Sequence, residues 1–140
     1  MIRAIFTAGA VVLAVASSPV YAEGSPALQE TVTPVFEREI PNIRGKSLIA
    51  LEVVYQPGGA SPSHRHAQSA FIYAYVLSGE IVSAVNDETP HVYRAGESWF
   101  EEPGAHHRVS RNASETEPAK LLAIFVVDRG ERQLVLPDPD

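Results

Sequence analysis

Short runs in which apolar and polar residues alternate, separated by turn residues, make up the chain beyond residue 34. Residues 35–40 alternate and are broken by Pro41, Asn42 and Gly45. Residues 47–55 are apolar and β-branched, and Pro57, Gly58 and Gly59 end them. Residues 71–77 come next, then Ser78-Gly79, then residues 80–85, after which Asn86-Asp87 turns the chain. Residues 91–94, 98–101 and 107–110 are short candidate strands. Residues 121–127 form a continuous apolar run, the pattern of a strand buried on both faces. Arg129-Gly130 breaks that run, residues 133–136 suit a last short strand, and the end from Pro137 onward is expected to fray. No segment keeps a long helical period. About eight or nine strands at close turn spacing predict an all-β fold, a sandwich or barrel, in a single domain.

The first 22 residues stand apart from this pattern. Arg3 gives a positive start, residues 4–16 are uncharged and almost all apolar, and small residues lead up to Ala22. This is the three-part layout of a secretory signal peptide, with cleavage expected after Ala22 and the product secreted or periplasmic. The apolar run is shorter than the roughly 20 residues a membrane span needs, so no stable membrane anchor is expected after cleavage. The expected organisation is a signal peptide over 1–22, an extended lead-in over 23–34, a barrel over 35–128 and a C-terminal tail over 129–140. Composition narrows the picture further. At 140 residues, 45% hydrophobic and 20% charged, the chain reads as one globular domain. It contains no cysteine, which excludes disulfides, thiolate zinc sites and cysteine nucleophiles. A formal charge of −6 argues against nucleic acid as a partner.

The candidate chemistry lies in the histidines. Four of the five fall in two tight groups, His64 with His66 and His106 with His107, while His91 stands alone and reads as a surface residue. Histidines at i and i+2 on a strand point to one face, so His64 and His66 aim two imidazoles the same way with Arg65 opposite. A third imidazole from another strand would complete a facial set for a divalent metal, with positions open to water or substrate. Phe71, Tyr73 and Tyr75 share one strand face and Ile72, Ala74 and Val76 the other. The aromatic stripe reads as core or dimer packing, or as a wall around a planar ligand.

These residues carry a family resemblance. Gly59-x4-His64-x-His66, closing at Gly79, resembles the first motif of the cupin superfamily, and Gly96-x7-Gly104-x2-His107 resembles its second. The resemblance covers roughly residues 35–127 and is to the small single-domain members, here an exported bacterial one. It implies a cupin-type jelly-roll β-barrel with one divalent transition metal, Fe, Ni, Zn, Cu or Mn, held by His64, His66 and His107. His107 is preferred to His106 because the counts from Gly96 and from Gly104 both end on it.

The first motif departs from the pattern at one point. The family's Glu ligand lies seven residues before the closing glycine, and that position is Ile72 here. Gln68 is the nearest polar side chain, and its amide oxygen is a weak neutral ligand. Loss of the carboxylate would disfavour hard cations such as Mn²⁺ relative to Zn²⁺, Cu²⁺, Ni²⁺ or Fe²⁺. Glu101 or Glu102 could swing a carboxylate toward the metal, against the usual exposed fate of a glutamate at a strand end. Gln68, His106 and Glu101 are therefore the additional candidate ligands or substrate contacts. Two readings follow. One is a metal-dependent dioxygenase-type enzyme acting on a small organic molecule or anion. The other is a non-catalytic periplasmic module that binds a small ligand or a metal. A homodimer through the aromatic stripe is compatible with both.

Overall fold

The alternating runs become two antiparallel sheets facing one another. The computed structural model describes residues 29–139, so the expected signal peptide and residues 23–28 of the lead-in lie outside the described residues. In chain order the strands are β1 (Glu30–Glu39), β2 (Lys46–Tyr55), β3 (Ala60–Ser61), β4 (His64–His66), β5 (Phe71–Ser78) and β6 (Glu80–Val85). They continue with β7 (His91–Arg94), β8 (Ser98–Glu101), β9 (His106–Asn112), β10 (Ala119–Asp128) and β11 (Val135–Pro137), with no helix among the described residues. One sheet runs β1-β2-β10-β5-β8 and the other β11-β4-β9-β6-β7, with β3 also paired to β9.

Period-two alternation decides which side chains fill the space between the sheets. On β5, Ile72, Ala74 and Val76 are buried while Phe71, Tyr73 and Tyr75 face outward, as the sequence pattern predicts. Leu51, Val53 and Tyr55 of β2 and Leu121, Ala123 and Phe125 of β10 complete the inner face of the first sheet. Burial of such side chains contributes roughly 1.5–3 kcal/mol each, and no disulfide assists it. The Ser78-Gly79 turn needs its glycine. Gly79 has φ +71°, and a Cβ there would lie 2.7 Å from the Pro118 carbonyl oxygen. The β5–β6 turn thus packs directly on the start of β10.

Three expectations are corrected. The strand expected over 35–40 begins at Glu30, so residues 30–34 of the lead-in belong to β1. Pro34 is tolerated because β1 is an edge strand paired only to β2, with a register shift between Pro34 and Phe36. The run 121–127 is not buried on both faces. Leu122, Ile124 and Val126 are half-buried on the outer side, where they sit between β2 and β5. The C-terminal tail does not fray at Pro137, because β11 pairs with β4 and the Asp138 carboxylate accepts from Ser63 Oγ at 2.6 Å.

Candidate metal centre

The metal candidates are set by β4 and its partner. His64 and His66 are buried on one face of β4, with Arg65 between them exposed on the other. The β4–β9 register puts His64 opposite His107 and Arg65 opposite His106. His107 therefore joins the inward pair, and His106 must face away. One ring nitrogen from each of His64, His66 and His107 lies within 4.8 Å of the others.

The second nitrogen of each ring is already engaged. His64 Nδ1 donates to the Pro62 carbonyl at 2.7 Å and His66 Nδ1 to the Leu134 carbonyl at 3.2 Å. Both bonds leave Nε2 as the free lone pair, the tautomer a metal requires. His107 Nε2 is hydrogen-bonded to Ser83 Oγ at 2.9 Å, leaving Nδ1 to face the cluster. Burial holds His64 below the ordinary imidazole range, against the opposing effect of the Pro62 carbonyl. Burial takes His107 down to about 4, outweighing the attraction of Glu101. Both rings are therefore neutral ligands near neutral pH.

Glu101 completes the cluster. It is buried on β8, with Oε2 3.1 Å from His66 Nε2 and Oε1 3.3 Å from His107 Nδ1. Trp99 Nε1 donates to Oε1 at 3.1 Å. Burial pushes the Glu101 carboxyl up, but the Trp99 donor and the positive charge and N–H that the His66 and His107 rings offer when protonated outweigh it and hold the group below its usual value. The exposed fate expected of this residue is thus corrected, because β8 alternates and turns Glu101 inward with Trp99 while Phe100 faces out. The β5–β8 register sets Ile72 directly opposite Glu101. Directly opposed side chains are about 5 Å apart at Cβ, so the carboxylate absent from β5 comes from the adjacent strand. The reason to disfavour Mn²⁺ goes with this correction, since a buried carboxylate stands beside the three imidazoles.

A divalent metal fits these residues. His66 Nε2 and Glu101 Oε2 are buried, face each other, and make no hydrogen bond. Two such atoms are costly unless something satisfies both, and a cation would. The other candidates are not brought to the cluster. Gln68 is exposed and lies over Gly104. His106 Nε2 is bonded to Asp138 Oδ2 at 2.9 Å and to Ser63 Oγ at 3.0 Å on the opposite face.

The cluster opens into a cavity of about 280 Å³ between the sheets. Its walls are largely apolar, with Leu51, Val53, Ile72, Leu121 and Phe125 among them. Val32 of β1 and Val135 of β11 bring the free edge of each sheet to the same cavity. A second polar group in it is absent from the sequence reading. Tyr55 Oη is 2.6 Å from Ser61 Oγ and 2.7 Å from Ser110 Oγ, and Ser61 Oγ donates to Glu30 Oε2 at 2.5 Å. Only the β3–β9 pairing, which sets Ser61 opposite Ser110, shows that these residues meet.

Comparison with known proteins agrees with this architecture. A family model described as Cupin domain matches residues 51–125, more than half of the chain. No curated protein matches the sequence. Among solved structures, a Thermus thermophilus protein is 26% identical with a TM-score of 0.57, over 71% of this chain and 84% of that one. An oxalate oxidase in complex with the substrate analogue glycolate is 25% identical with a TM-score of 0.56. That match covers 81% of this chain and 62% of the oxidase, so the chain spans less than two thirds of the oxidase's length. A Methanocaldococcus jannaschii cupin with a double-stranded β-helix fold shares 15% identity at a TM-score of 0.57, covering 79% of this chain and 92% of that one, and supports the fold alone.

Proposed function

This chain belongs to the cupin family, and we propose that it is an exported metalloprotein holding one divalent transition metal through His64, His66, His107 and Glu101, with a small organic molecule bound beside it. The carrying observation is the buried, unsatisfied pair His66 Nε2 and Glu101 Oε2 beside an apolar cavity. When bound, the metal would supply Lewis-acid or redox chemistry to a ligand in that cavity. The protein's own residues do the rest. The Pro62 and Leu134 carbonyls and Ser83 fix the orientation of the three rings. Trp99 holds the Glu101 carboxylate in place, and the apolar walls keep bulk water from the site.

A dioxygenase-type activity is the enzymatic form of the proposal. The test is oxygen uptake by Fe²⁺-, Ni²⁺- and Mn²⁺-loaded protein with catechols, flavonols and diketones. Steady uptake that disappears in His64→Ala supports the enzyme. Saturable ligand binding with no turnover by any loaded form supports the alternative, a non-catalytic binding module. Export is tested by the N-terminal residue of the secreted or periplasmic protein, which should be Glu23.

A further inference from the structure

The far end of the cavity makes a selection of its own. Ser61 and Ser110 lie three residues from His64 and His107, and the register shift in β9 makes the step from His107 to Ser110 two ladder positions, roughly 7 Å along the strand direction at about 3.3 Å per residue. Tyr55, Ser61, Ser110 and Glu30 all line the cavity there. Tyr55 and Ser110 are buried, so their hydroxyls must be satisfied within the protein or by a ligand.

Counting protons along this chain fixes its direction. Each hydroxyl has one proton to give. Ser61 gives its proton to Glu30 Oε2. The contact between Tyr55 and Ser61 then needs the Tyr55 proton, and the contact between Tyr55 and Ser110 needs the Ser110 proton. Every proton runs toward Glu30, and Ser110 Oγ is left with lone pairs alone. Burial pushes the Tyr55 phenol up to about 12, so it remains a donor within the chain at ordinary pH.

Charge sharpens the selection. Among the described residues, those lining the cavity include Glu30 and Glu101 but no Lys or Arg. A dianion such as oxalate would meet two carboxylates and no cationic side chain. An organic cation would find Glu30 already engaged by Ser61 and Glu101 by Trp99 and the histidines, and would lose its hydration against the apolar walls between them.

We propose that the Glu30–Ser61–Tyr55–Ser110 chain is the recognition end of the cavity, and that its ligand is a small neutral molecule with an apolar body and a donating hydroxyl, such as a phenol or alcohol. The reading rests on the same cavity as the metal proposal but not on the metal itself. A volume of about 280 Å³ holds a single ring with room to spare, since a cavity of about 150 Å³ already takes benzene.

The test compares para-cresol, para-xylene, para-methylanisole and oxalate on the purified protein, as isolated and after chelator treatment, by protein-observed NMR titration. Para-cresol should bind about fivefold to tenfold more tightly than its methyl isostere para-xylene, the worth of one hydrogen bond. It should lead para-methylanisole, which only accepts, by a similar factor. Oxalate should not displace it from the chelator-treated protein. Glu30→Gln, an edge substitution whose amide can donate to Ser61, lets the chain reverse. The gap between para-cresol and para-methylanisole should then close to within about twofold. Equal binding of para-cresol and para-xylene, no para-cresol binding at about 10 mM, displacement by oxalate, or an unchanged gap in Glu30→Gln overturns the proposal. Metal uptake is read separately. Protein that takes up no metal yet keeps the para-cresol preference overturns the metal reading alone. Metal-loaded protein without the preference overturns only this one.

Discussion

Glu101→Gln separates a metal-binding carboxylate from a structural one, because the two roles predict opposite signs. In the metal-free protein Glu101 Oε2 and His66 Nε2 face each other at 3.1 Å without a hydrogen bond, and the His66 proton is committed to Leu134. Glutamine preserves the shape. Its oxygen can keep the bond from Trp99 Nε1, and its amide can donate to His66 Nε2, supplying the missing proton. Metal-free Glu101→Gln should therefore be as stable as wild type or gain about 1 kcal/mol, a rise of a few degrees in Tm. Its metal affinity should fall at least about 10–100-fold, the range for disturbing groups around a ligand set. At a fixed, saturating metal concentration that removes roughly 1.4–2.7 kcal/mol of metal-induced stabilisation. The assay is thermal unfolding with chelator and with Zn²⁺, paired with competition against a chromophoric chelator. A metal-free variant destabilised by about 2 kcal/mol or more, with metal affinity unchanged, would refute the reasoning. Glu101 would then be a structural partner of His66, His107 and Trp99.

Three further outcomes are expected. Exchanging the opposed pair as Ile72→Glu with Glu101→Ile should retain metal binding better than Glu101→Ile alone, read by metal content, since either strand presents the carboxylate to the same space. The metal-free protein should lose stability as pH falls from about 6.5 toward 4. His107 takes its proton near about 4 when folded, against an unperturbed 6.5, so the unfolded chain binds more protons in that window. This amounts to about 3 kcal/mol at order-of-magnitude level, with His64 adding in the same direction and Glu101 extending the loss to lower pH. Chemical denaturation across pH checks it, and a flat profile would contradict it. Truncation after Arg132 removes β11 and the Leu134 carbonyl that orients His66, so metal affinity should fall about 10–100-fold while the two main sheets persist by circular dichroism.

The readable parts of this molecule are those in which a local period decides the answer. His64 and His66 share a face by alternation, and the same rule sorts Phe71, Tyr73 and Tyr75 from Ile72, Ala74 and Val76. The preference for His107 over His106 comes from motif spacing, and the β4–β9 register gives its physical basis. Glu101 reads as an exposed acid in the sequence because its role depends on lying opposite Ile72, a pairing between strands distant along the chain. The meeting of Tyr55, Ser61 and Ser110 depends likewise on β3 pairing with β9. Residues 30–34 read as lead-in because Pro34 looks like a breaker, yet an edge strand with a register shift absorbs it. The tail reads as frayed because its anchors, β4 and Ser63, are far from it along the chain.

The most direct test of the account is the metal content of untagged wild-type protein and His107→Ala, measured by inductively coupled plasma mass spectrometry after loading and desalting. The account predicts about one divalent transition metal per chain in the wild type, lost in His107→Ala. A wild type that stays empty after loading with Fe²⁺, Ni²⁺, Mn²⁺ and Zn²⁺, or a variant that keeps its metal, would contradict it.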